Sequence, residues 1–285
     1  TRIRCLDKID FETEANRRMG YNSKSIRNKL TKTEWLRQNA RLRPYLPPTK
    51  PFNKNNLSAM LERYPTVYFK PTNGSGGNHI IRIRKQGDGY RSKSRSKSRY
   101  HPKFDSLYRH LNEKANLRPY LLQKGIRLAA TNGRPFDIRV MVQKTNDGQW
   151  KSTALFTKIG KPGAVATNYN QGGKIGFIRP TLEAAGYTGD RNDRIQRQLK
   201  KMGTDVGTCF DRHLRGFREL GLDVALDASG RPWILEVNTR PQFYPLKNMK
   251  DPSVYRRIVN YAKQYGDPNS SGDRPCDSSC AAVNR

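Results

Sequence analysis

Residues 221–239 read GLDVALDASGRPWILEVNT. Apolar and polar residues alternate, a turn signal follows, and the alternation resumes, which predicts a half-buried β-hairpin. With the turn centred between Ser229 and Gly230, Asp223 faces Glu236, and Asn238 follows two residues on. The same register assigns Leu222, Val224, Leu226, Trp233, Leu235 and Val237 to the core side. Two carboxylates this close repel unless a cation or a proton sits between them. Three hard oxygen donors converging on an open face suit magnesium, which takes a few protein oxygens alongside substrate phosphates. From the hairpin alone, a surface hairpin whose polar face meets water stays open.

The chain as a whole is strongly basic. It has 285 residues, with 55 Lys and Arg against 24 Asp and Glu, for a net charge of +31. Such a balance points to polyanionic surroundings: nucleic acid, an anionic polymer or an acidic substrate. Arg91 to Arg99, RSKSRSKSR, reads as a solvated, mobile loop; taking its five basic charges from +31 leaves +26, so the basicity belongs to the whole chain. No apolar run approaches the roughly 18 residues that span a bilayer. With no charged-then-apolar leader, the expectation is a soluble, cytoplasmic protein. Cys5, Cys209, Cys276 and Cys280 are too few and scattered for a disulfide framework, and Cys276 and Cys280 read as plain thiols of a polar tail.

Periodicity predicts a helical rhythm over 25–42 and a short helix over 57–63. A strand TVYFK, a Gly-rich loop PTNGSGGN and a second strand HIIRIR follow, and 104–115 reads as a helix. Strands YLLQKGI, FDIRVMVQK and WKSTALFTK come next, then a loop NYNQGG, a long helix-like region over 190–220, the opening hairpin, and a helical stretch near 252–265. Antiparallel-looking strand pairs separated by helices make the class α+β.

Two further stretches bear on phosphate. Gly74, Gly76 and Gly77 let backbone amides turn toward an anion, with Lys70 as a fixed charge beside them. The same residues also fit a plain long hairpin turn. In FDIRVMVQ, alternation puts Phe136, Ile138, Val140 and Val142 on the core face and Asp137, Arg139, Met141 and Gln143 on the other. A mid-sheet arginine serves either an anion or an internal carboxylate.

The order of these motifs is similar to that of the ATP-grasp superfamily, and most closely to its YheC/YheD group, described as endospore coat-associated. NKLTKTEWL, YLPPTKPF, VYFKPTNGSGGNHIIRI, YLLQKGI, RPFDIRVMVQ, ATNYNQGG and WILEVNTRP carry the resemblance from about residue 26 to 245. It implies an ATP-grasp fold of two α+β lobes whose antiparallel sheets clamp ATP. The N-terminal extension would be residues 1–25 and the first lobe 26–126, with the lid and the Arg/Ser loop 91–99. The second lobe would be 127–265, with the metal site, and the flexible tail 266–285. Lys29 and Lys70 would contact phosphates, and Gly74, Ser75, Gly76 and Gly77 would form the lid. Gln123, Lys124, Gly125 and Ile126 would meet adenine, and Arg139 would hold the γ-phosphate. Asp223, Glu236 and Asn238 would bind magnesium, and Lys158, Asn168, Gly172, Gly173 and Arg240 would border the acceptor site.

Two departures qualify these implications. In D-alanine–D-alanine ligases an arginine lies two residues before the first magnesium aspartate; here that position is Gly221. This shifts oxyanion stabilisation toward Arg139 and away from a D-Ala-type substrate. Only about 25 residues precede the first motif, so the N-terminal region is reduced and part of the usual acceptor surface is absent or supplied otherwise.

The implied activity is ATP- and magnesium-dependent carboxylate–amine ligation through an acyl phosphate, on an acidic amino acid or peptide, with a cytoplasmic or spore-associated location. No protein nucleophile is needed, and His79, His101, His110 and His213 are scattered. A phosphotransferase built on the same ATP site and a basic binder of nucleic acid or spore-coat polymer are the rival expectations. The binder leaves the convergence of Asp223, Glu236 and Asn238 unexplained, and no RRM, KH, zinc-finger or helix-turn-helix signature is present.

Overall fold

The computed structural model describes residues 23–74, 76–95, 97–162, 167 and 172–266. Ser75, Asn168, Cys5, Cys276, Cys280 and nearly all of the extension and tail lie outside the described residues. Helix α1 (Lys29–Gln38) begins at Asn28, whose side chain accepts from the amides of Leu30 and Thr31 and so satisfies two donors of the first turn. Strand β1 (Thr49–Pro51), helix α2 (Lys54–Arg63) and strands β2 (Thr66–Pro71), β3 (Ile81–Gln86), β4 (Gly89–Lys93) and β5 (Ser98–His101) follow. Helix α3 (Phe104–Ala115) leads to β6 (Tyr120–Lys124). These six strands form one antiparallel sheet in the order β1-β6-β2-β3-β4-β5. One face buries Val67, Phe69, Ile81 and Ile83 against Leu57 and Leu61 of α2 and Leu107 and Leu111 of α3.

The second half contains β7 (Ala130–Thr131), β8 (Arg134–Lys144), β9 (Trp150–Ile159), β10 (Lys174–Phe177), α4 (Ile178–Ala184), α5 (Gly189–His213), β11 (Glu219–Leu226), β12 (Pro232–Asn238) and α6 (Ser253–Ala262). Its antiparallel sheet runs β10-β9-β8-β11-β12, with β7 paired to β8. Phe136, Ile138, Val140 and Val142 pack with Leu199, Met202, Val206 and Phe210 of α5 on one face. On the other, Met141, Ala154 and Phe156 pack with Ile258 and Ala262 of α6. Helix α1 precedes the first sheet in the chain, yet its Leu36 is buried in the second core and Trp35 meets Phe210 edge-on at 5.3 Å. Among the described residues no helix is long and apolar enough to cross a membrane.

The opening hairpin forms, with a register that differs from the symmetric expectation. Gly230, at φ +83°, closes a three-residue turn in which its amide bonds the carbonyl of Asp227. Near the turn Leu226 faces Pro232 and Val224 faces Ile234; beyond an irregularity, Asp223 faces Glu236 and Gly221 faces Asn238. Leu235 is the extra residue, a β-bulge. Without it the turn would place Glu236 opposite Leu222, on the core face. The bulge restores the predicted Asp223–Glu236 pair and corrects the predicted core: Ile234 and Val237 are buried, while Trp233 and Leu235 leave the interior.

Other expectations need correction too. The Arg/Ser run is not a free loop, because Arg91 to Lys93 and Ser98 to Arg99 pair as β4 and β5. Ser92 Oγ and His101 Nε2 anchor that pair from its buried side, 2.8 Å apart. The long helix ends at His213 rather than near residue 220, followed by Gly216 at φ +100° and then β11. Strands β1, β7 and β10 and helix α4 carry no clear sequence pattern, being short and flanked by Pro or Gly.

Gly203 and Gly207 of α5 face the second sheet. A Cβ at Gly207 would lie 2.4 Å from the Trp150 ring, whose Nε1 donates to Asp211 Oδ2 over 2.7 Å. Alanine gains about 1 kcal/mol of helix propensity over glycine, and overpacking costs about 1–3 kcal/mol. Gly207→Ala is therefore expected to lower unfolding free energy by about 1 kcal/mol in chemical denaturation; an equal or raised value would show that the helix can move off the sheet.

Candidate functional site

A cleft of about 270 Å³ opens between the sheets. Alternation along β2 turns Tyr68 and Lys70 into it while Val67 and Phe69 enter the core. From the second sheet come Asp137 and Arg139 of β8, Lys158 of β9, Asp223 of β11, and Glu236 and Asn238 of β12. Helix α1 contributes Lys29, and the β2–β3 loop covers one side with Gly74, Gly76 and Gly77. Those glycines sit at φ +121°, +71° and +70°, a region open to glycine and strained for other residues. Lys124, Ile126 and Arg240 also line the cleft.

The carboxylates are held by cations. Arg139 Nε and Lys158 Nζ each donate to Asp223 Oδ1 over 2.8 Å. Thus the internal pair left open for Arg139 forms, and the residue still faces the cleft. Although burial opposes ionisation, Arg139 and Lys158 hold Asp223 well below the usual carboxylate range. Asn238 Nδ2 donates to Asp223 Oδ2 over 3.2 Å, which orients the amide so that its oxygen is not spent on that carboxylate. Glu236 meets Lys29 Nζ at 3.4 Å, a looser contact than those on Asp223.

Asp137 was placed on this face by alternation but given no role. It is 5% exposed, Lys158 Nζ lies 3.1 Å from its Oδ1, and Thr167 Oγ1 donates to its Oδ2. Burial raises its pKa above the usual carboxylate value despite Lys158. Lys32, one helical turn from Lys29, was also missed. It is 5% exposed and borders a small space beside Lys29, Lys70 and Glu236. Its position inside an unremarkable KLTK run offered no signal beyond the helical period.

Several expected contacts have other partners. Gln123 accepts from Lys70 Nζ over 2.6 Å and donates to Thr49 Oγ1 and the Leu235 carbonyl, so it ties β1, β2 and β12 together behind the lysine. The amides of Lys124 and Gly125 bond the carbonyls of Pro48 and Thr66. Gly125 packs against Thr66, where a Cβ would come within 2.6 Å, and it is not among the cleft-lining residues. Gly172 and Gly173 are not among them either; Gly172 lies against the Lys161 side chain. Lys29 Nζ donates to the Gly74 carbonyl over 2.6 Å, linking α1 to the loop above the cleft. Of the histidines, His213 stacks on Trp35 at 4.9 Å and His101 is buried beside Ser92, both away from the cleft.

Among the described lining residues, Lys29, Lys32, Lys70, Lys124, Arg139, Lys158 and Arg240 face Asp137, Asp223 and Glu236, an excess of four formal positive charges. Together with the hard oxygens of Asp223, Glu236 and Asn238, the arrangement can bind a polyanion accompanied by a divalent cation. No cluster of three His, Cys, Asp or Glu suited to a metal alone occurs among the described residues.

The excess charge has a measurable cost. Burial pushes Lys32 and Lys70 down from 10.5 to about 8, only partly opposed by Glu236. A lysine whose folded pKa lies below its unfolded value destabilises the fold wherever it is protonated, and the penalty fades as pH rises from about 8 to 10.5. In the ligand-free protein, Lys32→Met is expected to raise stability by about 2–3 kcal/mol at pH 7. The difference from wild type should shrink toward pH 10.5 in denaturation measurements, and a difference independent of pH would refute the burial penalty.

A family model described as YheC/D-like ATP-grasp matches residues 19–267. Two relatives from Bacillus subtilis (strain 168) align with the chain. Endospore coat-associated protein YheD is 25% identical over 253 residues, 84% of this chain and 54% of that protein. Endospore coat-associated protein YheC is 24% identical over 235 residues, 76% of this chain and 61% of that protein. The chain thus spans less than two thirds of either relative's length. Among solved structures, the ADP complex of N5-carboxyaminoimidazole ribonucleotide synthetase matches with TM-score 0.49 and 15% identity, over 84% of this chain and 52% of that one. With the family model matching from residue 19 to residue 267, the chain belongs to the YheC/D-like ATP-grasp family.

Proposed function

We propose that the cleft binds ATP with magnesium and that the protein is a carboxylate–amine ligase. The observation that carries this reading is a directly opposed carboxylate pair set among an excess of positive charge. The tetra-anion of ATP with one divalent cation keeps a net charge of about −2, which such an excess attracts, while the carboxylate pair takes the cation. Lys29, Lys70 and Arg139 hold phosphate oxygens beneath the glycine loop. Ile126, Leu128 and Leu235, which line the cleft together, offer the purine an apolar wall. Asp223, Glu236 and Asn238 hold the metal, with Glu236 its principal ligand because Asp223 Oδ1 already serves two cations. When bound, magnesium supplies charge neutralisation for the transferring phosphoryl group.

The reaction needs no protein nucleophile. The substrate carboxylate attacks the γ-phosphorus, the bond to the β-bridging oxygen breaks, and ADP leaves. Arg139, oriented by its Nε bond to Asp223, faces the charge developing on the acyl phosphate. An amine then attacks the acyl carbon, phosphate departs with the C–O electron pair, and the nitrogen loses a proton. Lys158 and Arg240 border the space left for the acceptor. An acidic amino acid or peptide as substrate accords with the +31 charge. The names of the two Bacillus relatives place those proteins with the endospore coat, and the same association for this chain belongs to the proposal.

The test is magnesium-dependent ADP release across amino acids and acidic peptides, with mass spectrometry of products. Glu236→Gln is expected to slow ADP release by about 100-fold or more. A product weighing the two substrates less one water identifies ligation, whereas a substrate gaining a phosphoryl group identifies a phosphotransferase. Absence of ATP binding, or full activity in Glu236→Gln, would overturn the assignment.

A further inference from the structure

The first sheet carries a charged surface that the ATP reading leaves unused. Strands β2 to β5 turn Val67, Phe69, Ile81 and Ile83 inward. Their opposite face bears Tyr68 and Lys70 at the cleft, then Arg82 and Arg84 on β3, then Arg91 and Lys93 on β4. Register stacks these cations directly: Arg82 faces Lys93, and Arg84 faces Arg91. Like charges opposite one another destabilise a strand pair. No Asp or Glu occurs in any of the four strands to relieve them. Arg84 donates to Thr66 Oγ1 over 3.1 Å, and Arg91 to Gln86 and Ser98, all neutral partners. Among the described residues, Arg82, Arg84 and Arg91 form no salt bridge. The Arg84–Arg91 pair, opposed and without a salt bridge among the described residues, is shaped for an anion rather than for stability.

Its position says what it serves. Tyr68 lines the cleft and pairs with Arg82, and the rows continue across β4 to Ser98 and Tyr100 on β5, the free edge of the sheet. The face therefore runs unbroken from the cleft mouth across three strand gaps, roughly 14 Å. We propose that the face built by Arg82, Arg84, Arg91 and Lys93 docks an extended, Glu- or Asp-rich peptide and leads it to the cleft. An extended peptide crossing the strands toward the cleft meets the cations of β4, then those of β3 about 4.8 Å further on, then Tyr68 and Lys70 of β2. Guanidinium forks suit carboxylates. A single-stranded nucleic acid fits less well, because it needs aromatic faces for its bases. The two tyrosines on this face each already have a cation over the ring, Lys70 at 5.4 Å from Tyr68 and Arg91 at 5.9 Å from Tyr100.

What the peptide does after docking rests on the ligase reading; the docking itself does not. Fluorescence anisotropy of labelled decaglutamate with the whole chain separates the two. Arg84→Gln combined with Arg91→Gln is expected to weaken decaglutamate binding by about tenfold or more. Folding stability should not fall, since the substitutions remove a like-charge pair. Glu236→Gln should leave decaglutamate binding intact while abolishing ADP release. Unchanged binding in the double variant would overturn the proposal. So would loss of binding in Glu236→Gln, or tighter wild-type binding to an oligothymidylate of equal charge. Decaglutamate binding that depends on Arg84 and Arg91 in a protein that releases no ADP would support the docking face and sink the ligase reading.

Discussion

Two carboxylates set side by side in a part-buried cleft repel each other by several kcal/mol unless something positive lies between them or beside them. Here Asp223 and Glu236 face each other across β11 and β12, and neighbouring strands supply the compensation. Arg139 reaches Asp223 from β8, Lys158 reaches it from β9, and Lys29 approaches Glu236 from α1. Arg139 and Lys158 are fixed by the register of their strands: Asp223 pairs with Arg139, and Asp137 with Lys158. A one-residue slip anywhere in β8, β9 or β11 would turn one of these groups into the apolar core. The geometry of the second sheet and the electrostatics of the cleft are thus a single constraint, and the long helix α5 packed on the reverse face holds that register.

The cleft is also where the fold is least comfortable. Lys32 and Lys70 are charged where burial opposes it, Asp137 is buried beside Asp223, and the covering loop uses left-handed backbone at Gly74, Gly76, Gly77 and His79. The buried charges and the left-handed His79 work against stability in the free protein. Arrival of a polyanion with its cation gives the lysines a counter-charge, the carboxylates a partner and the loop amides an acceptor. Such concentration of unfavourable terms at one place is the expected signature of a preorganised site. The ladder of like charges on the first sheet extends the pattern beyond the cleft.

How much of this was legible in the sequence depended on where period-two alternation held. FDIRVMVQ alternates without interruption, so the inward face and the Asp137–Arg139 face could both be read from it. The opening hairpin put its two acids opposite each other for a partly mistaken reason. The assumed turn was too long by the residue that the Leu235 bulge returns, and two register errors cancelled at the site while Trp233 and Leu235 were misplaced in the core. A bulge has no local signature when the residue it adds is an ordinary leucine. Lys32 was illegible as a participant, and Gln123 was expected at the adenine but not as a tie between strands, for another reason. Their importance lies in what surrounds them in space, two lysines and a carboxylate for one, three strands for the other. Arg91 to Arg99 misled because composition outweighed alternation: Ser92 and His101 are the buried positions that make the segment a strand pair.

Gly221 shows how a departure at one position is answered at another. A side chain there would meet Pro241 at 2.5 Å, and Arg139 Nη1 and Cδ at 3.1 and 3.2 Å. Gly221 pairs with Met141, and the space beside it is already filled by Arg139, which is rooted on the same adjacent strand opposite Asp223. An arginine at 221 and the present Arg139 cannot share this space, so the glycine is a condition of Arg139 lying where it does. Positive charge beside Asp223 is thus supplied from the adjacent strand. Because Arg139 is tethered to Asp223 through Nε, the cation and the carboxylate move as a unit. On the ligase reading, this couples the group facing the acyl phosphate to a ligand of the metal. A substitution at Asp223 would then disturb anion recognition as well as metal binding, whereas one at Glu236, which meets Lys29 at the longer distance of 3.4 Å, would act on the metal more cleanly.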